Sequence, residues 1–118
     1  MYYKQNKYMN KKITVNGITY DSKKEMLVLQ DLKNKHKRGE IQDLKIKPRY
    51  ELISSFKDCL GKHERGAFFT PEAYYKKDKV EYVVEVKSKM TAKLPDYILR
   101  RKMFKQKYPY IIFIEEIL

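Results

Sequence analysis

The chain has no tryptophan, one cysteine, two histidines, four glycines and four prolines. A lone Cys59 excludes an internal disulfide and fits a reducing compartment. His36 and His63 stand at no metal-ligand spacing with each other or with Cys59. That pattern argues against a zinc site and makes both histidines structural or surface residues. No apolar run approaches the roughly 20 residues of a membrane span, so no membrane is expected as a partner. The leading "MYYKQNKYMNKK" has no apolar middle of the kind a signal peptide carries. A cytoplasmic location follows as an expectation.

Acidic residues are also scarce. There are 15 Asp and Glu against 27 Lys and Arg, a formal charge of +12. Such a field attracts polyanions, of which nucleic acid is the commonest. Charge by itself says nothing of catalysis, and a merely basic or ribosome-associated protein would share it. With 118 residues, 42% of them hydrophobic, the chain suits a single domain with one core.

Residues 1–11 interleave lysines and tyrosines without an acid, a basic arm suited to phosphates and stacked bases or simply a tail. In "KITVNGITY" two β-rich runs flank Asn16-Gly17, the pair that best tolerates a type I′ turn, so a hairpin is expected over 12–20. "DSKKEMLVLQDLKNKHKRG" predicts a helix. Ser22 and Glu25 form a capping box, basic residues crowd the far end, and Gly39 stops it. Glu25, Leu29, Leu32 and His36 share one face, so a carboxylate lies on the apolar side. "DLKIKPRYELI" alternates as a strand with one wet face, and Pro48 marks an edge or a bulge. Residues 53–66 form a loop or the tip of a long hairpin. "AFFTPEAYY" and "VEYVVEVKS" are strands joined by "KKDK". "LPDYILRRKMFKQKY" is a helix with Pro95 in its first turn. "YIIFIEEIL" is a last strand whose continuous apolar run suggests cover on both faces. The order is hairpin, α, β, β, β, α, β. It implies an α/β fold with a mixed sheet flanked by helices.

On this frame Glu85 and Lys87 leave one face of their strand. Glu72 falls opposite Glu85 if the turn centres on 78 or 79, and Glu25 reaches the same place from the helix start. Opposed like charges repel, and a cation between them reverses the cost. Two carboxylates holding magnesium, with a lysine beside them, are what phosphodiester hydrolysis needs. Each residue also has an ordinary reading: Glu25 as a cap, Glu72 as a hairpin charge, Glu85 and Lys87 as wet-face residues.

The Pro71-Glu72 … Glu85-Val86-Lys87 pattern resembles the PD-(D/E)XK nuclease motif. Asp21-Ser22-Lys23-Lys24-Glu25 resembles the glutamate-bearing first helix of that superfamily. From "NKKITVNGITYDSKKE" through "DLKIKPRYEL", "VVEVKSKMT" and "RRKMFKQKYP", the chain is similar to small phage-encoded, Holliday-junction-resolvase-like and restriction-endonuclease-like domains. The resemblance implies a restriction-endonuclease-like core over 1–118. It implies a Mg-dependent (or Mn-dependent) endodeoxyribonuclease acting on branched or structured DNA in phage or bacterial recombination, inside a bacterial host cell. Glu72, Glu85 and the Val86 carbonyl would bind the metal. Lys87 would be the catalytic lysine, and Glu25 would bind or orient a water at the metal. Lys89, Arg100, Arg101, Lys102 and Lys105 would contact phosphates. A resolvase makes two symmetric cuts, which implies a homodimer. The family most often has Asp where Glu72 stands, and the extra methylene moves the carboxylate by about 1.3–1.5 Å. A catalytically silent nucleic-acid-binding or regulatory module on the same fold is the alternative.

Overall fold

The structure, a computed structural model, describes residues 13–15, 18–20 and 22–117. Strands β1 (Ile13–Val15) and β2 (Ile18–Tyr20) pair antiparallel with Val15 facing Ile18, as the expected hairpin requires. The Asn16-Gly17 turn and the basic arm 1–11 lie outside the described residues.

Helix α1 (Lys23–Lys37) starts on Ser22, whose Oγ accepts from Glu25 N at 3.1 Å. It ends at Arg38, followed by Gly39 at φ 78°, and Glu40 N donates back to Lys35 O. That wrap satisfies the last carbonyls and needs the left-handed residue that glycine supplies. The buried stripe is Glu25, Leu29 and Leu32, while His36 is exposed.

The alternating run after α1 is not one strand. It divides into β3 (Gln42–Ile46) and β4 (Tyr50–Ile53), which belong to different sheets. Lys47, at φ 51°, and Pro48 make the break. Proline restricts the residue before it and withholds a ladder donor, so the chain turns here. The next predicted strand divides in the same way into β7 (Ala67–Phe69) and β8 (Ala73–Lys77) at Pro71.

Between β4 and β7, β5 (Phe56–Lys57) and β6 (His63–Glu64) pair, so residues 50–69 form one long antiparallel ribbon. Its root packs on α2 (Pro95–Lys107) through Leu52 and Phe69, with the Tyr50 and Phe104 rings 5.0 Å apart. Glycine is required at 66, where an added Cβ would meet Ile53 O at 2.7 Å.

The main sheet has the order β10-β9-β8-β3, with β9 at Val80–Lys87 and β10 at Ile111–Ile117. β8 runs antiparallel to β3 and β9, and β10 runs parallel to β9 beyond α2. Period-2 alternation divides the core. Ala73 and Val84 pack with Leu29 and Leu32 of α1; Tyr74 and Val83 pack with Tyr97 and Phe104 of α2. The architecture is therefore α/β, a mixed sheet with one helix on each face.

β10 departs from the expectation of full cover. It is an edge strand: Phe113 and Ile114 pack toward opposite clusters, but Ile112 and Ile117 are exposed. The apolar run reflects two half-covered faces rather than a central position.

Candidate active site

β8 and β9 turn on Asp78 and Lys79, both with positive φ (51° and 68°). This two-residue turn sets Lys77 opposite Val80 and Ala73 opposite Val84. One step further, Glu72 N donates to Val84 O at 2.9 Å, which brings Glu72 beside Glu85. The pairing sum expected from the turn thus persists to the mouth of these two central strands.

Three carboxylates meet there. Glu25 is 3% exposed, Glu85 2% and Glu72 9%. Glu25 arrives from the α1 side of the sheet; Glu85 and Lys87 look to the α2 side. Glu72 interacts with both other carboxylates. Two lysines offset this charge. Lys47 Nζ lies 3.4 Å from Glu25 Oε1 and Lys87 Nζ 4.0 Å from Glu85 Oε2. Val86 N also donates to Glu85 Oε1 at 3.1 Å.

Burial, followed by the charges of Glu25 and Glu85, pushes the Glu72 carboxyl up to about 8. Burial raises Glu85 to about 7, although Lys87 and the Val86 N–H pull it down. Desolvation thus outweighs one lysine at 4.0 Å, and the two groups favour the protonated form at acid pH.

Two buried oxygens, Glu25 Oε1 and Glu72 Oε2, have no hydrogen-bond partner. Lys47 is close enough to Glu25 to count as an ion pair but lies beyond the usual bond length. Buried carboxylate oxygens without donors are costly, and a hard cation with oxygen ligands suits them. Among the described residues no three His, Cys, Asp or Glu side chains form a ready-made cage. Magnesium does not need one, since it keeps several waters and takes few protein carboxylates.

A cavity of about 300 Å³ opens on the α2 side, lined by Glu85, Lys87, Thr70, Thr91, Tyr97 and Arg100 among others. Lys87 Nζ lies 5.0 Å from the centre of the Tyr97 ring. The Tyr97 hydroxyl donates to Glu115, which also pairs with Arg101 at 3.3 Å. Burial and Glu115 raise the Tyr97 phenol well above its ordinary value.

The residues expected at phosphates divide. Lys89, Lys102 and Lys105 are exposed, with Lys105 over the Phe113 ring. Arg101 is engaged by Glu115, and Arg100 donates to Phe68 O, so both hold the fold together. Val86 is buried in the strand.

Sequence reasoning missed Lys47, Tyr97 and Glu115. Lys47 read as a wet-face residue of a continuous strand; the Lys47-Pro48 pair was its signal. Glu115 stands opposite Glu85 in the β10–β9 register, a parallel pairing that a helix-length crossover conceals in the sequence.

The family model described as "Protein of unknown function (DUF1064)" matches residues 5–114. The chain belongs to the DUF1064 family. No curated protein and no solved structure matches it. Among the described residues no helix is long and apolar enough to cross a membrane.

Proposed function

We propose that this DUF1064 chain is a metal-dependent DNA endonuclease on a restriction-endonuclease-like core, with PD-(D/E)XK chemistry. One observation carries the reading. Glu25, Glu72 and Glu85 are buried together at the mouth of two central strands, two of their oxygens lack donors, and Lys87 stands beside Glu85 at an open cavity. Burying carboxylate oxygens without donors costs a fold free energy. A polyanion-binding protein of charge +12 has a use for them.

Glu72 and Glu85 would hold a magnesium or manganese ion, with the Val86 carbonyl completing the protein's share. The ion would supply Lewis-acid polarisation of a phosphoryl group and neutralise its charge. Lys87 faces the same cavity, where its ammonium stabilises negative charge developing on the phosphate oxygens. The Tyr97 ring and Glu85 keep that ammonium in place. Glu25, balanced by Lys47, stands ready to accept a hydrogen bond from the attacking water. Exposed Lys89, Lys102 and Lys105 suit the DNA backbone. Branched DNA is the proposed substrate, and symmetric cuts imply a homodimer.

The test is incubation with four-way, flapped and linear DNA, with and without magnesium or manganese. Metal-dependent strand cleavage that Lys87→Ala abolishes is expected. Metal binding by calorimetry that needs neither Glu72 nor Glu85, together with uncut DNA, would leave a silent binding module in its place.

A further inference from the structure

The ribbon formed by residues 50–69 serves no part of the core beyond its root. Between Ile53 and Arg65 almost every residue is exposed. Its tip is nevertheless tightly built. Asp58 Oδ1 accepts from Leu60 N at 2.9 Å and from Lys62 N at 2.8 Å. Asp58 N donates to Lys62 O, and Gly61 at φ 78° closes the turn. This construction presents Leu60 outward at 88% exposure, with Phe56 at 51% below it. Leu60 is the most exposed large apolar side chain among the described residues, and the hydrogen-bonded turn beneath it holds it at the tip.

Charge indicates what covers it. Lys57, Lys62 and Arg65 surround the tip, and none makes an ion pair among the described residues. Of the ribbon's acids, the Asp58 carboxylate closes the turn and Glu51 pairs with Lys107 at the root, which leaves Glu64 alone against the three cations. The position points the same way. The return strand runs from the tip into Phe68, Phe69 and Thr70, which line the cavity beside Glu85 and Lys87. From Leu60 to Phe69 is nine residues, roughly 30 Å at about 3.3 Å each. That is close to one turn of duplex, about 34 Å.

We infer that this ribbon is a DNA-engaging arm, with Leu60 as an apolar wedge at a branch point or weakly stacked base step and Lys57, Lys62 and Arg65 on the flanking phosphates. A two-stranded β-ribbon can enter a groove of DNA, and leucine is among the apolar wedges that minor-groove binders insert between base steps. Unstacking costs least where pairing is already interrupted, so the wedge selects branched over continuous DNA. The inference rests on the nucleic-acid reading above, but not on cleavage.

The experiment uses the full chain without divalent metal, a four-way junction carrying 2-aminopurine at the branch, and a linear duplex of the same sequence. The wild type should raise 2-aminopurine fluorescence on the junction and prefer it to the duplex. Leu60→Ala and Leu60→Glu should lose the rise and about five- to tenfold of junction affinity, with duplex affinity within about twofold. Leu60 is exposed, so an unchanged melting curve is expected. Junction binding and fluorescence unchanged in both variants overturn the wedge, as does a wild type that gives no rise. Lost self-association in Leu60→Glu with unaltered DNA binding assigns the tip to a second copy and equally overturns it. Failure to cut any DNA with magnesium refutes the nuclease reading and leaves this measurement intact.

Discussion

Glu72 N donates to Val84 O at 2.9 Å, and this one bond seats the Glu72 carboxylate against Glu85 inside the protein. The backbone ladder fixes both main-chain positions, so the two residues stay neighbours while the strands are paired. The repulsion is built in, and it has measurable consequences.

The first concerns pH. Glu72 rises from about 4.5 to about 8 on folding and Glu85 to about 7, both chiefly by burial. The folded state therefore binds more protons than the unfolded state between these values. Stability is fully present below about pH 4.5 and is lost as pH rises through 7 and then 8. The metal-free melting temperature should fall from about pH 5.5 to about pH 8.5, in scans at constant ionic strength. Magnesium should restore it most at about pH 8.5, where no proton must leave first. A flat profile would contradict the burial of the pair.

Glu72→Gln and Glu85→Gln each remove one repelling charge and keep the shape. At about pH 8 and without metal, each should melt higher than the wild type. About 1 kcal/mol would appear as about 3–6 °C in a chain of this length. Both should lose the magnesium-induced shift. A loss of stability in either would mean that the carboxylates support the fold.

Lys87→Ala should reduce metal-dependent cleavage by about 10²–10³-fold, the usual effect of removing one charge-stabilising donor. DNA affinity should hold within about twofold, since a single lysine meets one phosphate at most. Tyr97→Leu removes the ring 5.0 Å from Lys87 Nζ. It should lower kcat with little change in KM, while Tyr97→Phe retains the ring and most of the rate.

The exposed and engaged cations should differ in salt response. Lys102→Ala with Lys105→Ala should flatten the plot of log affinity against log salt by about 0.9 for each phosphate that the two lysines neutralise. Arg101→Ala, whose partner is Glu115, should leave the slope unchanged while lowering the melting temperature. Equal slopes for both variants would put Arg101 on the DNA as well.

Asp78 and Lys79 adopt a left-handed conformation without glycine. That costs about 1–2 kcal/mol for each residue, and Lys79→Gly relieves part of it. The variant should melt higher, with the Glu72–Glu85 pairing and the magnesium response intact. A lower melting temperature would show that the Lys79 side chain, not the turn geometry, holds the hairpin.

Much of this was legible in the chain itself. Two β-rich runs joined by "KKDK" located the β8–β9 hairpin, and a turn centred on 78 or 79 put Glu72 and Glu85 across from one another. The helical period placed Glu25 with Leu29 and Leu32, and all three are buried. Alternation misled where proline interrupts it. Residues 43–52 keep a period of two across Lys47-Pro48, yet the strands on either side join different sheets. Periodicity reports which way a side chain faces, not which partner its strand takes.

By itself, then, the sequence determined the two helices, the hairpins before α1 and before α2, the basic field and the candidate quartet of Glu25, Glu72, Glu85 and Lys87, because those follow from local period and composition. Only the tertiary structure decided that the carboxylates are buried rather than solvated, that Lys47, Tyr97 and Glu115 join them, and that residues 50–69 stand out as a ribbon. Burial and cross-sheet contact depend on how distant segments pack. A desolvated charge acquires its chemistry from neighbours that no local pattern can name.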